Sequence, residues 1–148
     1  MNGFCSGYVA KPLKEKEIFM GLLNRTFGSS TETTVENQQP WITLTELQQL
    51  ENIKAQSETK TQFIFKHSTR CGISRMVKNQ FEKDFGFDEN QADLFYLDLI
   101  AYRDISNAIA ETFQVVHESP QLLVVKNGTV VAHASHGGVN DLDLQRFA

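Results

Sequence analysis

The sequence predicts an α/β fold, a mixed sheet with helices on both faces, and three observations carry that expectation. From Trp41 onward strand-like and helix-like periodicities alternate, which implies parallel strands joined by crossover helices. The alternation stops near Gln121, where two strand-like runs flank Lys126-Asn127-Gly128, and Asn-Gly is a preferred pair for a two-residue hairpin turn. At 148 residues, with 41% hydrophobic residues and eleven Phe, the chain has enough apolar material for one ordinary core.

The elements follow in order. Residues 28–40 are polar, rich in Ser and Thr, and without apolar periodicity, so residues 1–40 are expected to form a flexible or partly ordered extension and residues 41–148 the folded domain. A short strand at Trp41-Ile42 leads into Thr43-Leu-Thr-Glu46, a capping box in which Ile42 and Leu47 supply a hydrophobic staple, with a helix to about Ser57. Gln62 to Lys66 is a strand of apolar, strand-forming types, continued by a loop from His67 to Arg70. Ile73, Met76, Val77, Phe81 and Phe85 recur at helical intervals, and Gly86 marks the stop. A strand over Leu94 to Leu99 and a helix carrying Ile105, Ala108, Ile109 and Phe113 come next. The hairpin strands follow, and Val139 to Phe147 reads as a short C-terminal helix.

Composition narrows the function. A formal charge of -4 with interspersed signs offers no basic surface for a phosphate backbone, so no nucleic acid partner is expected. No run approaches the roughly 20 apolar residues needed to span a bilayer, so no membrane partner is expected either. Two cysteines, Cys5 and Cys71, fit two thiols in a reducing compartment better than a structural disulfide, which predicts a cytoplasmic protein. His133-x-x-His136 supplies two ligands of an incomplete zinc site, and no metal is expected there.

Cys71 is the candidate catalytic residue. It stands between a strand-loop and an amphipathic helix, where unpaired backbone N–H groups and the helix dipole favour an anion. Arg70 adds a neighbouring cation and His67 can add another. The thiolate is the nucleophile of disulfide exchange. Ser74 lies where a Cys-x-x-Cys protein carries its second sulfur; it can donate a hydrogen bond to the Cys71 sulfur or simply face solvent. Without an internal partner at that spacing, Cys71 would take over a small thiol from a mixed disulfide and wait for an external thiol to release it. Gly137-Gly-Val-Asn-Asp141 either holds a carboxylate of a small thiol or is an ordinary helix start.

Residues 65–75 (FKHSTRCGISR), the 97–99 (LDL) and 102–106 (YRDIS) segments, and residues 117–123 (HESPQLL) with Lys126-Asn-Gly128 resemble the monothiol bacilliredoxin (YtxJ) family of the thioredoxin superfamily, over about 105 residues. The resemblance implies a thioredoxin-like fold, with Pro120 as a cis-proline facing Cys71. It also implies removal of bacillithiol, the low-molecular-weight co-substrate, from thiolated proteins by a cofactor-free monomer. Thr69, Arg70 and Gly72, with Ser119 and Gln121 beside Pro120, are the expected substrate-binding residues, and Ser74 and Pro120 join Cys71 as catalytic ones. The segment from Met20 looks more like a family N-terminus than Met1 does. Gly72 departs from the family's proline and makes Cys71-Gly-Ile-Ser74 similar to the Cys-Gly-Phe-Ser motif of monothiol glutaredoxins. That similarity implies an alternative, an iron-sulfur cluster carrier; a non-catalytic thioredoxin-fold stress module is a third.

Overall fold

The computed structural model describes residues 39–148, so the expectations for residues 1–38 lie outside it. The described chain runs β1 (Trp41–Thr43), α1 (Gln48–Gln56), β2 (Thr61–His67), α2 (Gly72–Asp84), β3 (Ala92–Asp98), α3 (Arg103–Phe113), β4 (Gln121–Lys126), β5 (Thr129–Ser135) and α4 (Gly138–Asp141), ending in a 3-10 turn at Leu144–Phe147. The five strands form one sheet in the order β1-β3-β2-β4-β5. β1 and β2 both pair parallel with β3, while β4 runs antiparallel to β2 and to β5, the mixed sheet that the sequence predicts.

β2 is central and every one of its residues is buried. Successive side chains alternate between the two faces, so Phe63 and Phe65 join Val77 and Phe81 of α2, with Val139 and Leu144, in one core. Ile64 joins Leu50 and Ile53 of α1, and Ile105 and Ile109 of α3, in the other. The hairpin closes as expected: Asn127 and Gly128 both have positive φ, and Lys126 pairs Thr129. A bulge follows at Val124/Val125.

Five local expectations need correction. The capping box does not form. α1 begins at Gln48 with no side-chain cap, and Gln49 does the capping instead: its Oε1 accepts from the N–H groups of Thr45 (2.8 Å) and Glu46 (3.0 Å), and its Nε2 donates to the Thr43 carbonyl. The staple pair Ile42 and Leu47 is exposed because Leu44 takes the buried place. The strand reaches His67 rather than ending before it, since β3 continues to pair with it as far as Asp98. α2 stops without help from a left-handed glycine: Phe85 turns extended, which lets Phe85 and Phe87 both pack on Phe63. The C-terminal helix is split into α4 and the 3-10 turn. The Phe147 carbonyl is held there by the Thr61 hydroxyl and the Lys126 ammonium.

On α2 the apolar periodicity also misassigned two residues. Ile73 is 61% exposed and Met76 73% exposed, whereas the buried stripe is Ser74, Val77 and Phe81. The sequence pattern cannot reveal this because a buried serine replaces an apolar residue at the head of the stripe.

Candidate active site

Because β2 and β3 are parallel, both deliver their C-terminal ends to the same edge of the sheet, and β4 starts there. Cys71 leaves that edge as the N-cap of α2, half-buried and in an extended backbone conformation. Its N–H donates to the Ser68 carbonyl (3.1 Å), and its carbonyl accepts from the N–H of Arg75 (3.2 Å). No side chain caps α2 and no acidic residue lies in its first turn, so the positive end of the helix remains uncompensated beside the sulfur. Thr69, Arg70 and Gly72 are all exposed around it. A side chain at position 72 would meet nothing within 4 Å and the backbone there is ordinary, so nothing in the fold demands glycine.

Ser74 neither faces solvent nor serves the sulfur. It is fully buried, and its hydroxyl accepts from the Ser68 N–H (3.1 Å) and lies 2.7 Å from His67 Nδ1. A hydroxyl has one proton to donate. With Nδ1 as the unprotonated nitrogen, both partners are satisfied and the proton is committed to His67. His67, expected as a cation for Cys71, is instead a buried neutral base. Burial lowers its pKa below the usual 6.5, the Lys78 charge lowers it further, and Asp98 only partly opposes them. Its ring packs against Tyr96 at 5.7 Å. This buried set stiffens the loop of residues 68–70 that aims Cys71.

Across the edge, the Ser119–Pro120 peptide bond is cis, as the resemblance implied. Pro120 is buried and its carbonyl accepts from the His136 N–H (2.9 Å). The Ser119 hydroxyl is buried and has no hydrogen-bond partner among the described residues. Gln121 has a different role from the one expected. It is fully buried and builds the loop before Pro120, donating from Nε2 to the Val116 carbonyl (2.8 Å) and accepting at Oε1 from the Glu118 N–H. His133 is exposed on β5 and His136 sits in the following turn; among the described residues no three metal-ligating side chains converge.

A family model described as monothiol bacilliredoxin BrxC matches residues 42–144. The chain belongs to that family. A solved thioredoxin-fold structure, assigned provisionally as an oxidoreductase, is 36% identical with a TM-score of 0.61, covering 72% of this chain and 91% of its own. Thioredoxins from Malassezia sympodialis (19% identity, TM-score 0.53, covering 70% and 84%) and Fasciola hepatica (17%, 0.54, 72% and 98%) share the fold. Three residues after Cys71 this chain holds the committed Ser74 hydroxyl in place of a second sulfur.

Sequence reasoning passed over two residues at this edge. Lys66 is fully buried in β2, and its Nζ lies 2.6 Å from His117 Nδ1. The signal was present: a lysine directly continuing the apolar run Phe63-Ile64-Phe65 of a strand. Among the described residues no helix is long and apolar enough to cross a membrane.

Proposed function

We propose that this bacilliredoxin removes bacillithiol from protein mixed disulfides by single-sulfur exchange at Cys71. The observation that carries the reading is Ser74: the place of a resolving sulfur holds a buried oxygen bound to His67 and Ser68. The Cys71 thiolate attacks the bacillithiol sulfur of the mixed disulfide, forming a Cys71–bacillithiol disulfide while the protein thiolate leaves. A second thiolate, from free low-molecular-weight thiol, then attacks the bacillithiol sulfur on Cys71 and releases it as a small-molecule disulfide. Each step exchanges one S–S bond for another, so no cofactor is required. The exposed loop of Thr69 and Arg70 and the Ser119 backbone beside Pro120 receive the substrate from either side. The same reading takes the protein to be a cytoplasmic monomer, acting where thiols are kept reduced.

The test is release of bacillithiol from a bacillithiolated protein, followed by mass spectrometry, with a glutathionylated substrate alongside. Turnover that prefers bacillithiol and vanishes in Cys71→Ser is expected; release that persists in Cys71→Ser would overturn the reading. The cluster-carrier alternative rests first on Gly72, which the fold does not require, with Pro120-Gln121 and Gly137-Gly138 beside Asp141 pointing the same way. A colourless protein after anaerobic reconstitution with iron, sulfide and thiol would end it.

A further inference from the structure

A buried ammonium at the site edge lacks a counter-charge. Lys66 is 0% exposed, yet among the described residues its only hydrogen-bond partner is His117 Nδ1, which uses one of the three N–H donors of a charged lysine. No ion pair among the described residues engages Lys66 or Arg103. Burial alone pulls the Lys66 pKa from 10.5 to about 8, so the group is still mostly charged near neutrality. A buried charge left unpaired is costly, and chains generally neutralise or pair such groups.

Beside this pair lies an open cavity of about 260 Å³ lined by Leu99, Arg103, Ser106, Asn107 and His117. Its polar groups converge on one chemistry. Arg103 brings a second cation at the start of α3, Ser106 Oγ stands 3.2 Å from the same His117 nitrogen, and Asn107 adds an amide. The acid acting on His117, Glu118, is outweighed by burial and by the Lys66 charge, which together hold the imidazole below its usual pKa. The cavity belongs to the Cys71 edge of the sheet: Lys66 pairs with Leu97 and Gln121, one residue from Pro120, and the Leu99 N–H donates to the His67 carbonyl (3.0 Å).

We propose that this cavity is a carboxylate subsite, in which His117 and Arg103 receive an acid group of the small thiol and the buried Lys66 charge, one hydrogen bond behind His117, favours it, while the thiol's sulfur is exchanged at Cys71. The carboxylate supplies the negative charge that the fold withholds from Lys66, and the subsite selects thiols that carry one. The inference rests on the de-thiolation reading for its ligand, but its test does not depend on turnover. S-methyl bacillithiol cannot exchange, so its binding is read directly by amide chemical-shift titration of the full chain, with its dimethyl ester as the uncharged control and an acidic peptide without thiol as a second source of carboxylate. The expected result is saturable shifts at Ser106 and His117 with S-methyl bacillithiol. They should weaken about tenfold with the ester and in Arg103→Gln, the loss typical of one charge-assisted hydrogen bond, and by less in Lys66→Met, which removes the charge behind His117. Equal binding of acid and ester, or shifts unchanged in both variants, would overturn it. Saturation by the acidic peptide with none by S-methyl bacillithiol would also overturn it, because the carboxylate would then belong to the protein substrate. Should the protein bind S-methyl bacillithiol here yet fail to release bacillithiol from proteins, the subsite stands and the turnover reading falls.

Discussion

The last two residues of β2 build opposite kinds of polar site. His67 points to the α2 face, where its ring meets the Ser74 hydroxyl, and Lys66 to the α3 face, where its ammonium meets the His117 ring that Ser106 also approaches. Under α2 the set is closed. Ser74 accepts from Ser68, its proton goes to His67, and the imidazole stays neutral, so the serine's one proton is already spent. Under α3 the set is open, with an ammonium held at a neutral imidazole beside a cavity and, among the described residues, no carboxylate paired with it. One face of the strand end therefore fixes the geometry of the nucleophile, and the other retains electrostatic free energy that a ligand can release.

The contrast breaks most sharply at Ser74. Ser74→Ala strands a buried N–H of Ser68 and the His67 nitrogen, and should cost about 1–3 kcal/mol in denaturant unfolding. It should also slow turnover, because the loop aiming Cys71 loses its tie. Ser74→Cys sharpens the same point: a second sulfur at the third position after Cys71 should yield an internal disulfide on oxidation, detected by intact mass, which the parent position cannot form.

Lys66→Met should do the reverse and stabilise the chain by roughly 1–2 kcal/mol at pH 7, since it removes a buried charge and keeps apolar bulk. The pH dependence carries a definite sign. Below about pH 8 Lys66 is charged in both states and its burial cost is fully present. Between about 8 and 10.5 the native state sheds the proton first, so parent stability rises with pH across that window relative to Lys66→Met. A parent curve parallel to that of the variant would remove the buried charge from the account.

A smaller effect is expected on the acid side. His67 and His117 both have folded-state pKa values below 6.5, so the unfolded chain takes up protons first and stability falls as pH drops through and below 6.5. His67→Gln should flatten part of that fall, measured as unfolding midpoint against pH. The smallest effect is none: Cys5→Ser should leave bacillithiol release unchanged, because no second sulfur is used.

Much of this was legible in the sequence, and the failures have physical causes. The strand and helix order, the Asn127-Gly128 hairpin and the position of Cys71 followed from periodicity and turn chemistry, which are local properties. The cis peptide at Pro120 came from the family resemblance rather than from any local rule. What escaped were roles assigned by tertiary partners. Gln49 displaced the capping box, Ser74 entered the buried stripe in place of Ile73 or Met76, and Gln121 turned from a substrate edge into a loop support. A polar side chain in the sequence does not reveal which backbone group it will satisfy. Lys66 alone gave a sign of its burial, as a charge directly after the apolar run Phe63-Ile64-Phe65.

Single-sulfur exchange is tested most directly by catching the protein in the act. The Cys5→Ser chain, whose sole cysteine is Cys71, is mixed with a bacillithiolated protein, quenched in acid during turnover and weighed intact. A population carrying one bacillithiol on Cys71, matched by substrate protein with a free thiol and discharged by added bacillithiol, is the predicted result. Released bacillithiol with no adduct on Cys71, or an adduct in which Cys71 holds the substrate protein instead, would contradict it.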